Sequence, residues 1–71
     1  MHRYFFHVVS DDINAPDLVG IELKGVAEAR GYAEAKLREV WAQRVLSGRP
    51  PLTGWLEVVD QQDRAVLRLP L

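Results

Sequence analysis

The sequence predicts an α+β fold, a two-layer sandwich in β-β-α-β-β order. A four-stranded, largely antiparallel sheet carries one long helix on one face. Three observations carry this expectation. Aromatic and β-branched residues dominate the opening from Arg3 to Val9. From Val26 to Trp41 the apolar residues recur at helical spacing. After Pro50-Pro51 the alternating pattern returns from Trp55 to Leu69, broken once by Asp60-Gln61-Gln62-Asp63.

Arg3 to Val9 reads as the first strand. A period of two places Tyr4, Phe6 and Val8 on one face and Arg3, Phe5, His7 and Val9 on the other. The wholly apolar face is the expected core face. Ser10 to Asp17, rich in Asp, Asn and Pro, reads as a loop. A short second strand is expected from about Val19 to Leu23, with Val19, Ile21 and Leu23 pointing in and Glu22 out.

Val26, Ala29, Ala33, Leu37, Val40 and Trp41 form one stripe of an amphipathic helix. Glu28, Glu34, Arg38 and Glu39 lie off it. Gly31 costs a helix about 1 kcal/mol against alanine, so close packing is the expectation there. Arg44 falls on the apolar stripe, which predicts a frayed last turn or a snorkelling side chain. Ser47-Gly48 followed by Arg49-Pro50-Pro51 is a strong stop. Trp55 to Val59 then reads as a strand with Leu56 and Val58 pointing in and Trp55, Glu57 and Val59 out. Its hairpin partner, about Arg64 to Leu69, has Ala65, Leu67 and Leu69 in and Val66 and Arg68 out, and Pro70 ends it.

Taken together, these pieces resemble a family of small uncharacterised bacterial domains, known as a domain of unknown function. Its members open Met-x-Arg-Tyr-Phe-Phe-His-Val, as Met1 and Arg3 to Val8 do here. A Gly-x-Glu-Leu step follows, matched by Gly20 to Leu23, then an Ala-rich helix, matched by Ala27 to Ala42. The closing hairpin matches at Glu57 to Asp60 and Arg64 to Pro70. The resemblance spans essentially the whole chain, and the opening is its most specific part. Two departures concern local geometry: Gln61-Gln62-Asp63 replaces a turn that usually holds Gly, and Gly25 stands where a capping Asp is common. The resemblance implies a fold and no activity, so it supplies no catalytic residues.

Composition narrows the function. The 71 residues make a single domain, 1–71, with 48% hydrophobic residues, too many for a disordered chain. Nine basic and ten acidic residues nearly cancel, whereas nucleic-acid binders usually carry a basic excess. Cysteine is absent, which removes disulfides, thiolate metal sites and a Cys nucleophile. No secretory leader or membrane span is legible, so a cytoplasmic protein is expected. A chain this small buries only roughly 60% of its unfolded surface, so packing or association must stabilise it.

Catalytic and metal chemistry find little support. His2 and His7 differ in strand parity and cannot converge on one ion. Asp11, Asp12, Asn14 and Asp17 suggest calcium, and Glu22 falls at the last position of a loop counted from Asp11. However, Ile13 and Ala15 occupy ligand positions, and Pro16 stands where the central Gly belongs. Ser10, Ser47 and Thr53 lie in loops without the strand-turn-helix setting of a nucleophile. Glu22 and Glu57 share the open sheet face but read as solvated charges. No cofactor, metal or enzymatic activity is expected.

The open face is the informative feature. By parity it holds Arg3, Phe5, His7, Glu22, Trp55, Glu57, Val59, Val66 and Arg68. Exposed aromatics rimmed by polar groups mark binding surfaces. The expectation is a non-enzymatic module that forms a homodimer or docks a protein partner through this face or an exposed edge strand. Phe5 and Trp55 would anchor it, with Arg3, His7 and Arg68 setting orientation. The alternative is a small regulatory nucleic-acid binder, antitoxin-like by analogy with short β-β-α-β domains of similar layout; aromatics beside arginines also suit base stacking.

Overall fold

A computed structural model describes residues 1–11 and 14–71. Asp12 and Ile13, in the expected first loop, lie outside the described residues. The elements are β1 (His2–Ser10), β2 (Asn14–Ala15), β3 (Ile21–Leu23), α1 (Val26–Leu46), β4 (Gly54–Val59) and β5 (Ala65–Pro70). All strand pairs are antiparallel, in the order β2-β1-β4-β5, with β3 also paired to β1. The α+β layering and the strand and helix order agree with the sequence reading, with one addition. Asn14–Ala15, expected within a loop, pairs with Val8 and Val9 as a two-residue strand.

Backbone polar groups must find partners, and β1 shows where they go. Its edge away from β4 is covered in two pieces, β3 opposite His2 to Tyr4 and β2 opposite Val8 and Val9. Between them the Phe6 N–H donates to the Asp17 carboxylate, 3.1 Å away. On the β4 side, Arg3 N–H extends beyond the ladder and donates to Gln61 Oε1 at 3.1 Å. At the far edge of the sheet, Leu71 N–H donates to Gly54 O at 3.0 Å. Strand alternation therefore turns the nitrogen of Pro70 outward, where no N–H is required.

Tyr4, Phe6, Val8, Leu56 and Val58 form the buried sheet face, as the alternation predicts. Leu23, Ala29, Ala33 and Leu52 are also buried. Leu52 sits in the expected loop after α1. The second strand is shorter than expected, and Val19 is 75% exposed instead of facing in, because the ladder to β1 begins only at Ile21. A bulge between Val58 and Val59 pairs Val59 with Ala65 and Val58 with Leu67. The extra residue reverses parity locally, so Ala65 is exposed and Val66 packs on the core, contrary to the regular alternation.

Helix α1 buries Ala29, Ala33 and Arg44, and it packs chiefly on β4 and β5. Val26 and Trp41, expected on the buried stripe, are 46% and 55% exposed. The small alanines hold the helix close to the sheet, and the flanks of the stripe remain outside. Arg44 neither frays the last turn nor reaches solvent. Its Nε and Nη2 donate to Pro50 O at 3.0 and 2.7 Å, tying the following loop to the helix. The helix ends in a Schellman motif. Gly48 N–H donates to Val45 O and Arg49 N–H to Arg44 O, both at 3.1 Å, with Gly48 at φ +68°. The close packing expected at Gly31 is absent, since a Cβ there would meet nothing within 4 Å.

Candidate functional site

The strand register assembles the expected face row by row. Arg3 stands opposite Glu22. Phe5, Val59 and Ala65 form one row, His7, Glu57 and Arg68 the next, and Val9, Trp55 and Pro70 the third. Arg3, Phe5, His7, Trp55 and Arg68 therefore share the sheet face opposite the helix. They divide into two groups with different surroundings.

Arg3, Phe5 and His7 serve the segment from Pro16 to Gly20. Arg3 Nη1 donates to Val19 O at 2.9 Å, and Nη2 pairs with Glu22 Oε1 at 3.4 Å. Phe5 lies against Gly20 so closely that a Cβ there would stand 2.8 Å from Phe5 Cε2. Gly20 also has φ +72°, a conformation that side chains rarely adopt. His7 Nδ1 accepts the Asp17 N–H at 2.9 Å, which places the neutral imidazole proton on Nε2. Val59, on the same face, is only 5% exposed. This half of the face is partly roofed by its own chain.

Trp55 and Arg68 occupy the other half. Trp55 is 45% exposed and Val9 40%. The Arg68 guanidinium lies 5.4 Å from the Trp55 ring centroid, within cation–π range. Arg68 Nη2 also pairs with Glu57 Oε2 at 2.8 Å. Val9, Trp55 and Pro70 thus make an apolar ledge across three strands, bordered by a charged pair.

Sequence reasoning missed Asp17, which reads as a turn residue. Its Oδ1 accepts the N–H groups of Val19 and Gly20 at 3.1 and 3.0 Å, and its Oδ2 accepts that of Phe6. Burial works to raise its pKa, but the N–H groups of Gly20, Phe6 and Val19 outweigh that, with a smaller electrostatic contribution from His7. The carboxyl is held below its ordinary value. The local half of this pattern, an Asp two and three residues ahead of the amides it accepts, is legible as an Asx-type turn. The bond to Phe6 is not, because it depends on how β2 and β3 flank β1. Asp60 is also held low, first by the Arg64 N–H, against some desolvation, with the Gln62 N–H and the Arg64 guanidinium adding to it. It organises the turn between β4 and β5 through Gln62 and Arg64 N–H bonds of 2.9 and 3.0 Å.

A concavity of about 490 Å³ lies between α1 and the β1 edge, lined by Phe6, Val8, Ile21, Tyr32 and Val40 among others. Its rim carries Lys36 and the backbone-bonded Asp17. The Phe6 and Tyr32 rings meet there at 4.7 Å between centroids. Among the described residues, no group of three or more His, Asp or Glu side chains could hold a metal ion. No described helix is long and apolar enough to cross a membrane.

No curated protein and no solved structure matches the chain. The sequence profile of a domain of unknown function, DUF6894, matches residues 3–71. The antiparallel sheet with its single helix and the face described above are therefore those of a member of this family, and the chain belongs to DUF6894.

Proposed function

We propose that this chain is a non-enzymatic, cytoplasmic protein-interaction domain that docks a protein partner on the Trp55 half of its open sheet face. The carrying observation is Trp55 itself, a large aromatic 45% exposed on β4, the strand next to the edge strand β5. Val9 and Pro70 continue its apolar surface, and Glu57 and Arg68 supply directional charge. Such a ledge fits a protein segment with one aromatic or aliphatic anchor flanked by charged groups. Arg3, Phe5 and His7 instead hold the Pro16–Gly20 segment on the other half of the face. The non-enzymatic reading is supported by Asp17 and Asp60, whose lowered pKa values suit ionised acceptors of backbone N–H groups better than proton donors.

The nucleic-acid alternative has weaker support. Arg3 and Arg68 each pair with a carboxylate of the same face, so phosphate binding would have to displace Glu22 and Glu57.

Affinity capture from extract of the source cells tests the proposal. A protein retained by the wild type should be lost with Trp55→Ala and with Arg68→Glu, while the helical circular-dichroism signal persists. An identical captured set with all three proteins would remove the Trp55 face from consideration. Salt-sensitive binding of a short single-stranded oligonucleotide, abolished by Arg68→Gln, would replace the proposal with its alternative.

A further inference from the structure

Helix α1 carries a second regular stripe, on a flank turned about a third of a turn from the buried one. Ala27, Gly31, Glu34, Arg38, Trp41 and Val45 follow one another at alternating spacings of four and three, the seam spacing of paired helices. All six are exposed, Trp41 by 55% and Val45 by 78%. The fold gives Gly31 no packing role, since the space beside it is empty of the chain's own atoms.

The stripe is symmetric about Lys36. An antiparallel second copy sharing that centre would place Ala27 against the partner's Val45 and Gly31 against the partner's Trp41. It would also place Glu34 against the partner's Arg38. Each small residue meets a large one, and each acid meets a base. A two-fold interface requires this reciprocity, because whatever i makes with j, j must make with i. A different partner would impose no such symmetry on one helix.

We infer that the chain forms a two-fold dimer through antiparallel pairing of α1 along this stripe. The Trp41 indole of each copy fills the space beside Gly31 of the other, and two Glu34–Arg38 pairs fix the register. The open sheet face lies on the opposite side of the sheet from α1, so the dimer leaves both Trp55 ledges uncovered. The inference therefore goes beyond the docking proposal and does not depend on it.

Light scattering coupled to size-exclusion chromatography, across a dilution series of the full chain, tests this. The wild type should show a dimer mass that falls toward the monomer on dilution. Arg38→Glu and Glu34→Arg should each weaken the dimer by roughly tenfold or more. The double exchange, Glu34→Arg with Arg38→Glu, should restore it by re-forming both pairs with reversed sign. Circular dichroism separates unfolding from dissociation, because each variant should remain helical. Gly31→Ala should raise the melting temperature of the dilute monomer yet weaken the dimer. Trp55→Ala should leave the mass unchanged. A monomeric wild type at every concentration, single reversals without effect, or a double exchange that stays monomeric would overturn the inference.

Discussion

At Phe6 the edge of β1 meets neither β2 nor β3, and the Asp17 carboxylate takes the place of a strand. Removing it leaves three N–H groups without their acceptor. Asp17→Ala should cost about 1–3 kcal/mol, the usual penalty for orphaned, partly buried donors, measurable by urea unfolding. The folded-state pKa of Asp17 is lowered. Its stabilisation is therefore fully present above the ordinary carboxylate value, about 3.9, and is lost as the pH falls through the lower folded value. The stability gap between wild type and Asp17→Asn should accordingly narrow in acid. Single residues also show where sequence reading stops. Tyr4, Phe6 and Val8 were legible because alternation alone assigns a strand face. Ala65 and Val66 were not, because one bulged residue exchanges faces without leaving a mark in composition.

Among the elements, α1 was the most legible and its surroundings the least. Its start at Val26, its buried alanines and its glycine stop follow from spacing and capping chemistry. The burial of Arg44 does not, because its acceptor, Pro50 O, belongs to a loop whose path is set by Leu52 entering the core. Two helix ends invite opposite experiments. Gly48→Ala should destabilise the domain by about 1–2 kcal/mol, since φ +68° forces its Cβ against the backbone. Gly25→Asp should stabilise it by a few tenths of a kcal/mol. The N-terminus of α1 has no side-chain cap, Gly25 is extended, and a Cβ there meets nothing within 4 Å. Thermal melts of both variants, recorded at one protein concentration, check the two signs together.

On the scale of the whole molecule, the open face was legible as a set of residues but not as a divided surface. Parity placed Arg3, Phe5 and His7 beside Trp55 and Arg68. Only the fold shows the Pro16–Gly20 segment drawing the first three to itself. The core is also small for a free-standing chain, with ten buried hydrophobic residues among the described ones, two of them alanines on the helix. Association that favours only the folded state should make stability depend on concentration. The melting temperature of the wild type should therefore rise with protein concentration, while that of Arg38→Glu should not. A flat dependence for both would mean that the core suffices alone.

The borders of the sheet carry one more consequence. An exposed strand edge is a template on which further chains can add and grow into fibres. Here one border is split between strands of two and three residues with a carboxylate between them. The other bears a bulge near its start and a proline at its end. Neither offers an incoming strand a long, uninterrupted row of backbone partners. Held at high concentration, such a chain should show little tendency to seed amyloid through its strand edges, a thioflavin fluorescence time course being the check.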